Sequence, residues 1–171
     1  DWLDDLGMDL PETIDEWETM LKAFRDQKGA KFPLSTPYYR LHQMFAPAYD
    51  SSFDHFVDHG VVKFGGTVPG RIEYLKKMNE WFEAGLLDNN YAVIDEKTCD
   101  SYIMNGKAGA IFDSGGGMGT MLQAMQEKDP GFNLSATVYP YTEKGKHIKI
   151  INSSAYAARD YSAAISSQCK D

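Results

Sequence analysis

The sequence NGKAGAIFDSGGGMGTML, residues 105–122, places a short apolar run, three consecutive glycines and a helical pattern in immediate succession. Residues 108–112 predict a brief buried strand, and residues 114–117 predict a loop because they do not fit any regular element. The apolar residues that follow recur at helical spacing: Met118, Met121, Leu122 and Met125. The stretch therefore predicts a strand, a loop and a helix in that order.

Glycine determines the character of the predicted loop. Three glycines without Cβ let the backbone take positive φ and let a ligand approach the main chain closely. The first N–H groups of the following helix point at the same space. We therefore expect the loop to hold an oxygen-rich molecule. The alternative is a tight turn with no ligand, which the same glycines permit.

The known phosphate and nucleophile motifs do not fit this loop. A P-loop requires Gly-Lys-Ser/Thr where residues 117–120 read GMGT. The dinucleotide fingerprint requires glycine at Thr120, and a nucleophile elbow requires glycine at Phe112, two residues before Ser114. The loop is therefore neither a nucleotide site nor an esterase site.

Composition indicates an ordinary globular chain. Its 171 residues suffice to bury roughly two-thirds of the unfolded surface in one domain or slightly more. A net charge of −8 and a pI near 4.9 argue against nucleic acid and anionic membranes as partners. The two cysteines, Cys99 and Cys169, are too few for a disulfide framework and lack the spacing of a zinc or redox motif. We predict no cofactor.

Both ends of the chain suggest an excised domain. The opening DWLDDLG predicts the last turns of a helix closed by Gly7, and the chain stops in a polar stretch after AAISS. No stretch approaches the roughly 20 apolar residues that cross a bilayer. We expect residues 1–171 to form a single domain truncated at both ends.

Three further helices carry start and stop signals. Thr13 and Glu16 form a capping box before a helix that ends at residues 28–29. Pro69 starts a helix that ends at Gly85, and Asp95 caps a short helix running to residue 104. The predicted core-facing residues of the second helix are Ile72, Leu75, Met78 or Asn79, and Phe82, with Trp81 packed beside them.

The segment around Asp58-His59-Gly60 predicts a hairpin, because residues 53–57 and 61–64 alternate apolar and polar side chains. Further strands are predicted at 32–34, 137–141 and 147–151, with a turn at 144–146. His55 and His59 suggest a metal pair, but on a strand residues four apart lie well over about 10 Å from each other. We therefore predict no metal site.

Four stretches together resemble the second lobe of extracellular solute-binding proteins of ABC importers, of the maltose-binding and oligosaccharide-lipoprotein type. LPETIDEWETMLKAF (10–24) resembles the first helix of that lobe, and FDHFVDHGVVKFG (53–65) resembles its hairpin. RIEYLKKMNEWFEAGLLD (71–88) resembles its long helix, and MNGKAGAIFDSGGGMG (104–119) resembles its strand and ligand-facing loop. The resemblance covers nearly the whole chain.

The resemblance implies an α/β fold: one lobe of a periplasmic-binding-protein-like pair, with helices around a small mixed sheet. It also implies a non-enzymatic receptor that clamps a sugar or oligosaccharide between two lobes and delivers it to the permease subunits of an ABC transporter. The complete protein would be extracellular and anchored as a lipoprotein, or periplasmic.

Site residues follow from the same resemblance. In this family a Pro-Tyr pair early in the lobe and the residues after the central strand commonly face the ligand. The matching candidates, with their neighbours, are Tyr38, Tyr39, Arg40, Asp113, Ser114, Gly115 and Gly116. Carboxylates, hydroxyls and aromatic planes suit a sugar. Arg40 suits a uronic acid by bidentate pairing, or is a solvated charge near a helix start. Maltose-type members have tryptophan near the position of Gly116, which argues against maltodextrin.

Two other functions remain open on sequence alone. A glycoside hydrolase would place two carboxylates about 5 to 10 Å apart across the scissile bond. The clear acidic pairs, such as Asp95-Glu96, lie at predicted helix ends, where capping explains them. A non-catalytic surface adhesion domain would use the aromatic residues for protein contacts.

Overall fold

A computed structural model describes residues 2–146 and 148 of the chain, and this part has a mixed α/β fold, as expected. Its helices are α1 (Trp2–Leu6), α2 (Ile14–Gln27), α3 (Tyr38–Phe45), α4 (Pro69–Glu83), α5 (Glu96–Met104) and α6 (Gly115–Met125). Its strands are β1 (Phe32–Leu34), β2 (His55–Asp58), β3 (Val61–Phe64) and β4 (Ala108–Ala110). No described helix is long and apolar enough to span a membrane.

Strands β1 and β4 form a parallel pair that sets the position of the two following helices. Phe32 lies opposite Ala108, and Leu34 lies opposite Ala110. Leu34 also bridges Leu87 on its other side, so β1 is the inner strand. Because parallel strands run in the same direction, α3 and α6 both begin near the carboxyl edge of this pair.

Helix α2 forms as its sequence predicts and packs into the core. The Thr13 hydroxyl accepts a hydrogen bond from the Glu16 amide at 3.2 Å, and the Glu16 carboxylate accepts one from the Thr13 amide at 3.0 Å. This capping box satisfies two backbone donors at the helix start. Trp17 is buried and meets Phe45 edge to face at 5.3 Å. Trp17, Met20, Leu21 and Phe24, which recur at helical spacing in the sequence, are all buried.

The face predicted to be buried on α4 is wrong in its main residues. Ile72, Leu75 and Phe82 are exposed, whereas Met78 and Trp81 are buried, as predicted, together with Tyr74. Tyr74 and Trp81 bury larger rings and also bond through their polar atoms, which favours their burial over that of the aliphatic residues. The Trp81 indole donates to Glu18 at 3.1 Å, and the Tyr74 hydroxyl bonds the His42 ring at 2.6 Å.

The hairpin is confirmed. His55 pairs with Phe64 and Asp58 pairs with Val61 in antiparallel register. His59 and Gly60 both have positive φ, +50° and +80°, which is the backbone of a type I′ turn. Among residues 2–146 and 148, no group of three or more His, Cys, Asp or Glu side chains could hold a metal ion.

The predicted strand at 137–141 does not form a ladder. Within it only Tyr141 is paired, through an isolated parallel bridge to Thr13. The Tyr141 amide donates to Glu12 O and the Ile14 amide donates to Tyr141 O, each at 2.8 Å, so this segment attaches to the start of α2. A turn does occupy residues 144–145. The predicted strand at 147–151 lies outside the described residues except for Ile148, and so does Cys169.

Candidate functional site

The candidate site lies at the carboxyl edge of the parallel pair, where the chain leaves β1 and β4. The Ser35 amide donates to Ala110 O at 3.1 Å, so the two strand ends are adjacent. Pro37 then leads into α3 and Ser114 leads into α6. Residues predicted from two separate stretches of sequence thus arrive at one edge.

Four rings at the start of α3 form a group that we call the aromatic group: Tyr38, Tyr39, His42 and Phe53. The Tyr38 ring lies edge to face with Tyr39 at 6.0 Å and with Phe53 at 6.2 Å. His42 stacks on Phe53 at 5.3 Å with 21° between the planes. Tyr38 is 42% exposed and Phe53 is 50% exposed. Because these partly exposed rings contact one another, they present apolar faces to a ligand with little loss of side-chain entropy on binding.

Glu96, at the start of α5, ties Tyr39 and Arg40 together. Its Oε1 accepts from Arg40 Nε at 2.9 Å and Nη2 at 2.8 Å, and it also accepts from the Tyr39 hydroxyl. The Tyr39 hydrogen bond, followed by those of Arg40, lowers the pKa of Glu96. The Arg40 guanidinium also lies 5.7 Å from the centre of the Phe112 ring. Arg40 is therefore an internal partner at this edge and not a solvated charge.

The three glycines do not form a loop, contrary to the prediction for residues 114–117. Helix α6 begins at Gly115, and none of Gly115, Gly116 and Gly117 has positive φ. Ser114 is the N-cap, its hydroxyl accepting from the Gly117 amide at 3.2 Å. A cap satisfies a backbone donor and so offsets part of the roughly 1 kcal/mol that each glycine costs in a helix interior.

The glycines instead make room for Asp113. Its Oδ1 accepts from the Ser114 amide at 2.6 Å, so the carboxylate lies over the first turn of α6. A Cβ built on Gly117 would overlap that carboxylate, whereas one on Gly115 would meet open space. Asp113 Oδ2 lies against the Gly117 backbone, and among the described residues nothing donates a hydrogen bond to it, so this oxygen can still accept one.

Carboxylates outnumber cations at this edge. Burial raises the pKa of Asp100, and the nearby charges of Asp113, Glu96 and Asp95 raise it further. Within the described residues, four carboxylates thus accompany two cations: Arg40, which already pairs with Glu96, and Lys97, whose charge helps to lower the pKa of Asp95. The edge is therefore electronegative and repels anions.

The structure brings together some of the predicted residues and leaves others apart. Arg40 lies over the rings of Tyr39 and of Phe112, the residue before Asp113. The Tyr38 ring contacts Tyr39, His42 and Phe53 and makes no described contact with Asp113. Sequence reasoning missed residues that belong to this edge, namely His42, Phe53, Glu96, Asp100 and Phe112. Glu96 could have been noticed, because a helix start after a capping Asp95 is a common place for an exposed carboxylate.

A cavity of about 820 Å³ lies between α1, α2, β4 and residues 131–139. Its lining is largely made of core side chains such as Trp17, Met20 and Phe24, and Asp113 is among its polar residues. None of Tyr38, Tyr39 and Arg40 lines it. The cavity therefore overlaps the candidate site only through the residues next to Asp113.

No family profile matches the chain. The chain is 27% identical over 141 residues to lipoprotein LipO of Bacillus subtilis, an alignment that covers 75% of this chain and 28% of LipO. Its fold is similar to that of the alginate-binding protein AlgQ2, with a TM-score of 0.66 and 21% identity over 77% of this chain and 29% of AlgQ2. A sugar transporter of Bacillus licheniformis in complex with stachyose matches with a TM-score of 0.58 and 13% identity, covering 84% and 38% of the two chains.

These likenesses confirm the expected resemblance and the fold class. The similar structures include an alginate-binding protein, an HMO-binding solute-binding protein associated with an ABC transporter, and a sugar transporter in complex with stachyose. The chain spans about a quarter to two-fifths of the length of the proteins it matches.

Proposed function

We propose that residues 1–171 are part of the second lobe of a solute receptor that binds a sugar or oligosaccharide and delivers it to an ABC permease. The receptor role is supported by the likeness to sugar-binding solute receptors. The first lobe and the permease contacts would come from the rest of a longer protein. By analogy with LipO, whose name describes a lipoprotein, the complete protein would be anchored outside the cytoplasmic membrane or lie in the periplasm.

One observation supports sugar binding at the strand edge above all. Exposed aromatic faces from the start of α3 and a carboxylate with a free oxygen at the start of α6 lie along the same edge. A sugar presents apolar ring faces and hydroxyls that donate hydrogen bonds, so it needs both kinds of group. The first lobe of the receptor would then close over this edge and bury the ligand.

The charges at the edge favour a neutral sugar over a uronic acid. Arg40 directs two donors at Glu96, so binding a uronate would require it to leave that partner. The remaining carboxylates, Asp95, Asp100 and Asp113, would repel a ligand carboxylate. On this basis the ligand differs in charge from that of an alginate-binding protein, even though the folds are similar.

Calorimetric titration of the complete receptor tests this proposal. The ligands are matched neutral oligosaccharides, oligouronates and amino sugars of two to four rings. We expect binding of a neutral ligand, with the uronates at least about tenfold weaker, a difference of roughly 1.4 kcal/mol. Tighter binding of a uronate would overturn the neutral-sugar assignment, and binding of none of these glycans would overturn the sugar receptor.

The same samples distinguish a receptor from a hydrolase. Chromatography of the glycans after prolonged incubation should show them intact. Cleavage would support the hydrolase alternative, with Asp100 and Asp113 as the first carboxylates to substitute, because Asp113 is close enough to raise the pKa of Asp100.

A further inference from the structure

An apolar stripe runs along the outer face of α4. Ile72, Leu75 and Phe82, which we call the α4 stripe, are 61%, 46% and 38% exposed. They are separated by three and seven residues and so share one face of the helix. Phe82 touches the ring of Tyr91 at 5.9 Å, and the other two have no aromatic contact among the described residues. The stripe is thus largely uncovered in this part of the chain.

The α4 stripe is not the ordinary solvent side of the helix. At about 100° of rotation per residue, it lies between the buried side and a charged side. The buried side consists of Tyr74, Met78 and Trp81. The charged side consists of Glu73, Lys76, Lys77, Glu80 and Glu83. Together the stripe and the buried side span roughly half of the helix, interrupted by Arg71 and Asn79, and this span is wider than a single packing partner requires.

We propose that a second, amphipathic helix from the longer polypeptide, outside residues 1–171, packs on the α4 stripe. The proposal rests on the proposed function in one respect, that the chain is part of a larger receptor. The matched proteins are long enough to supply such a helix, since the alignments cover only 28% of LipO and 29% of AlgQ2. The partner would place aliphatic residues at helical spacing on the stripe and polar residues beside Lys76 and Glu83, which border it.

The size of the stripe favours a helix of the same polypeptide over a separate protein. Three partly exposed side chains offer far less than the roughly 800 Å² that each partner contributes to a standard stable interface. A tethered helix needs much less area, because its attachment to the chain removes most of the entropic cost of association.

Thiol labelling of the complete receptor tests whether another helix covers the α4 stripe. Leu75→Cys is compared with Glu73→Cys, an exposed residue on the charged side away from the stripe, and peptide mass spectrometry separates both signals from those of Cys99 and Cys169. We expect Leu75→Cys to react at least about tenfold more slowly under native conditions and equally fast in denaturant. Buried Cys99 should stay unlabelled, which shows that each variant is folded. Ile72→Cys replaces Leu75→Cys if the latter unfolds.

Photo-crosslinking then identifies the segment that packs on the α4 stripe. With p-benzoylphenylalanine in place of Leu75, we expect cross-links to a peptide of the same molecule outside residues 1–171, and none when it replaces Glu73. Equal labelling rates, or cross-links to residues 149–171, to a second copy or to a permease subunit, would overturn the proposal. Glycan titration of the Leu75→Cys receptor is independent of this result, so failure to bind sugar would count against the proposed function and not against the packing.

Discussion

The two helices that begin at the shared strand edge expose different chemistry in their first turns. Helix α3 begins with Tyr38 and Tyr39, whose rings are exposed and in contact. Helix α6 begins with Gly115 and Gly116, which have no side chains and follow the carboxylate of Asp113 and the cap of Ser114. This difference predicts separate roles in ligand binding: α3 supplies flat apolar faces, and α6 supplies polar atoms and space.

The polar side chains at the starts of α3 and α6 also differ in how many of their hydrogen bonds are already made within the protein. On the α3 side, Tyr39 and Arg40 are already held by Glu96. On the α6 side, Asp113 uses one oxygen for the Ser114 amide and has the other free among the described residues. If this comparison is right, substitutions at α6 should affect hydrogen bonding to the ligand, and substitutions at α3 should affect stacking.

The largest expected effect is that of Asp113→Ala in the complete receptor. If Asp113 accepts bonds from ligand hydroxyls, its loss should weaken binding by roughly 1.5 to 3 kcal/mol, because charge-assisted bonds are lost and ligand donors are left unpaired. Calorimetry with the identified solute measures this. Ser114→Ala is the matched control: losing the cap should lower stability by about 1 kcal/mol and leave affinity nearly unchanged. If Asp113→Ala instead lowered stability and left affinity unchanged, Asp113 would have a structural role only.

Tyr38→Ala should have the next largest effect, since it removes an exposed face from the aromatic group. We expect a loss of about 1 to 2 kcal/mol in ligand affinity, with a small change in melting temperature. Tyr38→Phe should retain most of the affinity if stacking dominates. Val62→Ala, an exposed position on the hairpin, serves as a control. Equal losses from Tyr38→Phe and Tyr38→Ala would show that the hydroxyl matters and the ring face does not.

The glycines of α6 provide a smaller and more specific test. Gly117→Ala places a Cβ against the Asp113 carboxylate and should displace it, costing about 1 kcal/mol of affinity. Gly119→Ala, further along the helix, meets open space and should leave affinity unchanged while stabilising the helix by up to about 1 kcal/mol. Titration and melting curves of the two variants compare these effects directly. Identical affinities would mean that the position of Asp113 does not matter for binding.

Sequence predicted the element order well because local signals decided it. Capping at Thr13, turn chemistry at His59-Gly60 and the stop at Gly85 each act within a few residues, and all three are present in the structure. The start of α6 was missed because glycine propensity argues for a loop, whereas the cap at Ser114 and the space taken by Asp113 are contacts that the residue pattern does not show.

Helices α2 and α4 show the corresponding limit for packing. Both have apolar residues at helical spacing, but α4 has two adjacent apolar sides, and periodicity alone does not decide which one meets the core. Tyr74 and Trp81 occupy the core side because their polar atoms find His42 and Glu18, partners distant in sequence. Glu96 and Phe53 likewise contact α3 from distant parts of the sequence, so only the structure shows that they belong to the candidate site.

The smallest effect at neutral pH, and one confined to α3, is a dependence of stability on His42. Burial, followed by the charge of Arg71, lowers the pKa of His42 from 6.5 to about 4. Between these values the unfolded chain binds more protons than the folded chain, so stability should fall as the pH drops from about 6.5 towards 4 and be insensitive to this group above 6.5. Melting curves across this range should show a shallower slope for His42→Gln than for the unaltered protein. His59→Asn is the control, because His59 lies exposed in the hairpin turn with a left-handed backbone that asparagine tolerates. An unchanged slope in His42→Gln would show that the His42 ring is hydrated in the folded protein and does not couple stability to pH.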